Sequence, residues 1–114
     1  MTVAASDVIL SPRAAAALDV LEQGTGAEEA SLVRRIRSLR AVLIADCLHG
    51  EVVRKRTIPR NLRAEYDLEN LYVEDLPSFW RLLYTIVRIK GRPAIVIIEI
   101  VDHPQYTKWF RGRT

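Results

Sequence analysis

The sequence predicts an α+β domain in which a helix hairpin packs on a mostly antiparallel sheet of about four strands, followed by a short C-terminal helix. Three observations carry this reading. In the first half, Leu32, Ile36, Leu39, Leu43 and Cys47 recur at spacings of three and four, the period of a helix with one apolar face. In the second half, Phe79 to Ile89 and Ala94 to Val101 are dense in branched and aromatic residues and meet at Lys90-Gly91-Arg92, a tight turn between two antiparallel strands. Finally, 114 residues with 49% hydrophobic and 27% charged content suit a single core-burying domain over 1–114.

Taken in order, Asp7 to Leu10 reads as a short strand, and Ser11-Pro12 as a helix cap followed by proline at the first helical position. The first helix then runs from about Pro12 to Gln23 and stops at Gly24. Thr25 and Glu28 form the pattern of a capping box for a second, longer helix ending near Gly50. Its polar face carries Arg34, Arg37 and Arg40, giving the hairpin a basic outer surface. His49, directly after this helix, reads as a C-terminal cap. From Glu51 to Asn70 Pro59 blocks a regular element, so this segment is expected to be a basic loop with at most one turn of helix. Leu71 to Asp75 is the next strand, Leu76-Pro77-Ser78 a turn, and Phe79 to Ile89 a strand again. The nearly continuous hydrophobicity of Ala94 to Val101 marks a strand buried on both faces. After Asp102, a final helix holds Tyr106, Trp109 and Phe110, with a basic tail from Arg111 to Arg113. With the hairpin on one face of the sheet, the other face is expected to be open.

Charge is unevenly spread. Residues 1–33 hold one basic residue against five acidic ones, residues 34–63 nine against two, and the remainder seven of each, so the middle carries the whole excess behind the net charge of +3. Either a polyanion or an acidic protein partner would suit such a segment, as would a solvated helix face. No apolar run approaches the roughly 20 residues of a membrane-spanning helix. Met1 to Ser11 includes Asp7 and has no basic residue ahead of a hydrophobic stretch, unlike a secretion signal. The lone Cys47 cannot form an internal disulfide, and the cytoplasm is the expected compartment.

Several chemistries are excluded by their ligand sets. Cys47 and His49 with scattered carboxylates do not make a metal site, so none is expected, nor any cofactor. The five glycines form no phosphate-binding loop of strand-to-helix form, and no serine sits in a nucleophile-elbow motif. Attention falls instead on the last two strands and the final helix. Arg81 stands in an apolar strand, where an unpaired charge is costly. Side-chain alternation places it with Leu83 and Thr85, opposite Trp80, Leu82, Tyr84 and Ile86. It could pair with Glu99 on the neighbouring strand, or offer its guanidinium fork to a phosphate. His103 precedes Pro104 and so falls at the cap of the last helix, where it could simply close the helix or move a proton near neutral pH. Tyr106 could donate its hydroxyl or stack on a base, or merely pack beside Trp109 and Phe110.

Four segments resemble a known family: Ile58-Pro59-Arg60-Asn61-Leu62, Asn70-Leu71-Tyr72, Leu76-Pro77 with Trp80-Arg81-Leu82-Leu83-Tyr84-Thr85-Ile86, and Ile100-Val101-Asp102-His103-Pro104-Gln105-Tyr106. Together they are similar to the RelE/ParE superfamily of toxin–antitoxin toxins, in its archaeal-type RelE-like branch, over about half the chain from Ile58 to Phe110. The resemblance implies a RelE-like domain that cuts messenger RNA on the ribosome without a metal and is held inactive by a cognate acidic antitoxin. Under it, Arg81 would hold the phosphate, His103 would be the acid or base, and Tyr106 would match the family's late tyrosine. Where RelE itself carries strand lysines, this chain has Tyr72 and Glu74, so Arg54, Lys55, Arg56 and Arg60 are the cations expected to bind RNA in their place. ParE-type members share the fold and inhibit DNA gyrase instead, which makes a protein-binding inhibitor without nuclease chemistry the alternative, as does a non-catalytic binding protein of the same fold.

Overall fold

The computed structural model describes residues 1–110; the basic tail Arg111 to Arg113 lies outside the described residues. The chain folds as α+β. In order, the elements are β1 (Val8–Leu10), α1 (Pro12–Gln23), α2 (Ala27–Ala45), β2 (Glu51–Val52), α3 (Arg60–Tyr66), β3 (Tyr72–Asp75), β4 (Arg81–Ile89), β5 (Arg92–Val101) and α4 (His103–Phe110). They form one five-stranded sheet in the order β1-β5-β4-β3-β2, antiparallel throughout except for the parallel pair β1–β5. Among the described residues no helix is long and apolar enough to cross a membrane.

α1 begins and ends where expected. The Ser11 hydroxyl accepts from the Ala14 N–H at 3.1 Å and donates to the Ile98 carbonyl at 2.7 Å, so one buried side chain both caps the helix and ties it to β5. The capping box of α2 does not form. Gly26 is its cap, without a side-chain hydrogen bond, and Glu28 and Glu29 in the first turn face the positive end of the helix dipole instead. α2 also ends earlier than expected, at Ala45. Asp46 terminates it by turning its carboxylate onto the N–H groups of Val3 and Leu48, both at 3.1 Å. Cys47 therefore lies in the following turn, still buried, and not on the helix.

The β4–β5 hairpin is the centre of the sheet. Its two-residue turn has Lys90 at φ 53° and Gly91 at φ 79°, the left-handed pair that matches strand twist. Ala94, Ile95, Ile97, Ile98, Ile100 and Val101 are all buried, as a strand covered on both faces requires. A bulge interrupts the ladder: Leu83 pairs with Glu99, but Tyr84 pairs with Ile97, leaving Ile98 extra. The insertion moves Glu99 onto the face that Leu83 and Ile98 share.

Two cores result. On one face Leu32, Ile36, Leu39 and Leu43 of α2 and Leu21 of α1 pack on Leu82, Tyr84, Ile95, Ile97 and Ile100. The opposite face is not open, contrary to expectation. Ile58, Leu62, Leu68 and Leu71 pack there on Val73, Leu83, Ile98 and Val101, with Tyr106, Trp109 and Phe110 of α4 closing over them. Pro59 does not break a regular element in this region; it stands at the cap of α3, where a missing N–H costs nothing, and its carbonyl accepts from the Arg63 N–H at 3.0 Å. The fifth strand, β2, is held beside β3 by a close approach at Gly50. Its N–H donates to the Tyr84 hydroxyl at 2.9 Å, and a Cβ there would stand 2.8 Å from that oxygen.

Candidate functional site

Arg81 is the first residue of β4, directly across the ladder from Asp75 on β3 and Val101 on β5. It points to the face of the sheet that α4 covers, as strand alternation requires. Its guanidinium carbon lies 5.0 Å from the centre of the Tyr106 ring, a cation–π contact. The expected pairing with Glu99 does not occur. Arg81 Nε instead meets Asp75 Oδ1 at 3.0 Å, while Nη1 donates to the carbonyls of Phe79 at 2.8 Å and Trp80 at 3.1 Å. The ladder explains the exchange: Asp75 is its cross-strand neighbour, whereas Glu99 is opposite Leu83, two residues along.

Glu99 is engaged elsewhere, with residues that sequence reasoning missed. Only 4% exposed, it receives Arg13 Nε at 3.2 Å and the Tyr66 hydroxyl at 2.8 Å. Burial pushes the Glu99 carboxyl above the usual carboxylate range, although the Tyr66 hydrogen bond and the Arg13 charge both pull it down. An acid inside an apolar run was the signal for this cluster; its partners come from α1 and α3, which spacing along one strand does not reveal.

Tyr106 lies on α4 with its ring stacked on Phe110, centroids 4.5 Å apart. Burial raises its pKa, so at neutral pH it is a neutral hydroxyl beside a cation. His103 is displaced by one position from its expected role. The cap of α4 is Asp102, whose carboxylate accepts from the Gln105 N–H at 3.0 Å; His103 is the first helical residue and Pro104 the second. The His103 side chain is exposed, with its ring 5.7 Å from the Phe79 ring and Nε2 3.5 Å from the Thr107 hydroxyl. His49 is not the expected helix cap, since α2 ends at Ala45 and Asp46 caps it; its Nδ1 lies 2.6 Å from the buried Glu74 carboxylate instead.

These elements enclose a groove of about 430 Å³ whose lining includes Arg54, Arg81, Tyr106 and Phe110, with Glu51 and Asp75 as its acids. Of the predicted residues, the groove therefore gathers Arg54, Arg81 and Tyr106. His103 stands outside it but is linked to it by Phe79, whose ring meets His103 and whose carbonyl holds Arg81. Lys55, Arg56 and Arg60 are exposed on the segment leading into and opening α3, and none of them lines the groove.

The basic middle of the chain is not one surface. The arginines of α2 lie on the hairpin side of the sheet, and the groove lies on the other. Arg40 is paired with Asp7 at 3.4 Å and Arg37 with Glu22, so part of that helix charge is already neutralised by the acidic first third of the chain. A larger concavity, about 570 Å³, runs beside Asn70, Thr85 and Arg88 and holds none of the predicted site residues. Asn70 is structural there. Its amide donates to the Ile86 carbonyl at 2.9 Å, and its side-chain oxygen accepts from the Thr85 hydroxyl and the Ile86 N–H, each at 2.8 Å.

No family model, no curated protein and no solved structure matches this chain.

Proposed function

We propose that this chain is a RelE-like toxin, a metal-independent endoribonuclease that cuts messenger RNA at the ribosome. The observation that supports the reading is the meeting of Arg81, Tyr106 and Arg54 in one groove, with His103 joined to it through Phe79. In the reaction the ribose 2′-hydroxyl attacks the adjacent phosphorus and the bond to the 5′-oxygen breaks, leaving a cyclic phosphate and a free 5′-hydroxyl. The protein need supply only charge and protons. Arg81 Nη1 donates to the Phe79 and Trp80 carbonyls and Nε is ion-paired with Asp75, and on this reading the Nη2 edge is the part offered to a phosphate oxygen. Tyr106 donates its hydroxyl beside that cation, and His103 exchanges the proton of the attacking or leaving oxygen. Arg54 on the groove wall, with Lys55, Arg56 and Arg60 outside it, attracts the RNA backbone.

On this reading the protein works in the cytoplasm, where ribosomes are, and a small acidic antitoxin holds it inactive. Expression of the chain alone should arrest growth, and primer extension on translated messages should reveal cuts in phase with codons. Intact messages in arrested cells would overturn the proposal.

A second reading has its own support. Asp75 already occupies the Arg81 guanidinium, and Tyr72 and Glu74 stand on β3 where RelE has lysines. Both features favour an inhibitor that acts by binding a protein, as ParE-type members do on gyrase. Inhibition of gyrase supercoiling by a chain that cuts no message would select it.

A further inference from the structure

We propose that Phe79 is a stacking platform for a base of the bound RNA strand, an inference that rests on the ribonuclease reading. Phe79 is 70% exposed and has φ 64°, directly after Ser78 at φ 58°. A glycine adopts that left-handed backbone without cost, whereas a bulky side chain is strained there. Phenylalanine thus gains neither conformational preference nor burial at this position. What it gains is placement. The ring lies against the His103 imidazole, 5.7 Å between centres with planes tilted by 54°, and its own carbonyl accepts from Arg81 at 2.8 Å. An exposed aromatic ring is thereby held against the proton-transfer imidazole, on a residue whose backbone carbonyl is tied to the phosphate-binding guanidinium.

The chemistry around the ring selects the occupant. A nucleobase presents a flat π face to Phe79 while its edges, ribose and phosphate remain free for polar neighbours, and such stacking tolerates any sequence. An apolar protein side chain large enough to cover Phe79 would also take the exposed His103 imidazole out of water, which opposes that kind of contact. Phe79 is accordingly a positioning residue. It holds the base next to the scissile phosphate and takes no part in bond making.

The test uses the full chain and ribosomes programmed with a message whose A-site codon is 2′-O-methylated and carries 2-aminopurine, so that the strand is bound but not cut. Wild type and Phe79→Trp should change the fluorescence of the 2-aminopurine on binding. Phe79→Ala and Phe79→Gly should lose that change and bind about ten-fold more weakly, within the range of base–aromatic stacking. Their dependence of affinity on salt should stay that of wild type, because no phosphate contact is removed. Phe79→Gly should also unfold at a higher temperature than wild type, since it relieves the left-handed strain, so weaker binding by that variant cannot be a folding defect. A wild-type fluorescence change in Phe79→Ala or Phe79→Gly overturns the inference and leaves the ribonuclease reading intact. Failure of the wild-type protein to engage programmed ribosomes overturns that reading itself, and the inference with it.

Discussion

Arg81 and Asp75 face each other across the β3–β4 ladder, with Arg81 Nε 3.0 Å from the Asp75 carboxylate. The pair is unequal: the arginine side chain is 19% exposed and the aspartate 81%, so the acid lies between the guanidinium and solvent. An approaching phosphate must compete with it. Replacing Asp75 by Asn should raise affinity for ribosomes by roughly two- to five-fold, the scale of an exposed ion pair, with little change in thermal stability. Co-sedimentation measures this directly, and an unchanged affinity would remove Arg81 as the phosphate contact.

A related expectation separates the two basic faces. Affinity for ribosomes should fall steeply between low and physiological salt, because each neutralised phosphate releases counterions. Arg54 lines the groove and should contribute to that slope, so Arg54→Ala should flatten the log–log plot by about one charge. Arg37 and Arg40, paired with Glu22 and Asp7 on the hairpin side, should contribute less. Equal slopes for wild type and Arg54→Ala would show that the groove does not carry the RNA.

Much of this arrangement was legible in the sequence where one physical rule dominated. The bounds of α1 followed from Ser11, Pro12 and Gly24, and the β4–β5 pair from its composition and turn, because local chemistry decides both. The face on which Arg81 projects followed from alternation alone. Elements that depend on distant partners were not readable. The end of α2 is set by Asp46 bonding back to Val3, forty-three residues away. The second core needs α3 and α4 to meet over the sheet, and Pro59 hid the first of them by sitting at a cap. Phe79 read as the start of a strand, since its run of apolar neighbours gives no hint of a left-handed backbone.

Glu99 gives the protein an expected pH dependence. Its folded-state pKa is raised, chiefly by burial, so the native state holds this proton to higher pH than the unfolded chain does. The associated stability is present below the usual carboxylate range and is lost as pH rises through the folded value. Wild-type stability should therefore decline over that interval, and Glu99→Gln, which keeps a partner for Tyr66, should flatten the decline. Arg13→Ala should act oppositely. It removes the cation that helps ionised Glu99, so its cost should be small in acid and grow to about 1–3 kcal/mol near neutrality, the scale of a buried group losing a partner. Urea unfolding at pH 4 and pH 7 would decide; equal costs at both would mean the ion pair contributes nothing.

The variants of the proposed chemistry are cleaner than the sequence alone suggested. With Glu99 held by Arg13 and Tyr66, Arg81→Ala strands no buried acid; the group it releases is Asp75, which is mostly in water. His103 is exposed on the first turn of α4, and the cap of that helix belongs to Asp102, so His103→Ala should leave the unfolding temperature close to wild type. Either change should lower the rate of message cleavage by about 10²-fold or more, as loss of an acid–base group or an oriented charge does. Tyr106→Phe keeps the ring under Arg81 and removes only the hydroxyl, so its loss should be smaller and confined to turnover. Loss of the imidazole should also remove one limb of the pH–rate profile, whereas loss of the guanidinium should lower the whole profile without changing its shape. A folded His103→Ala protein that cuts at the wild-type rate, with both limbs intact, would exclude His103 as the proton carrier and leave Tyr106 as the remaining donor in the groove.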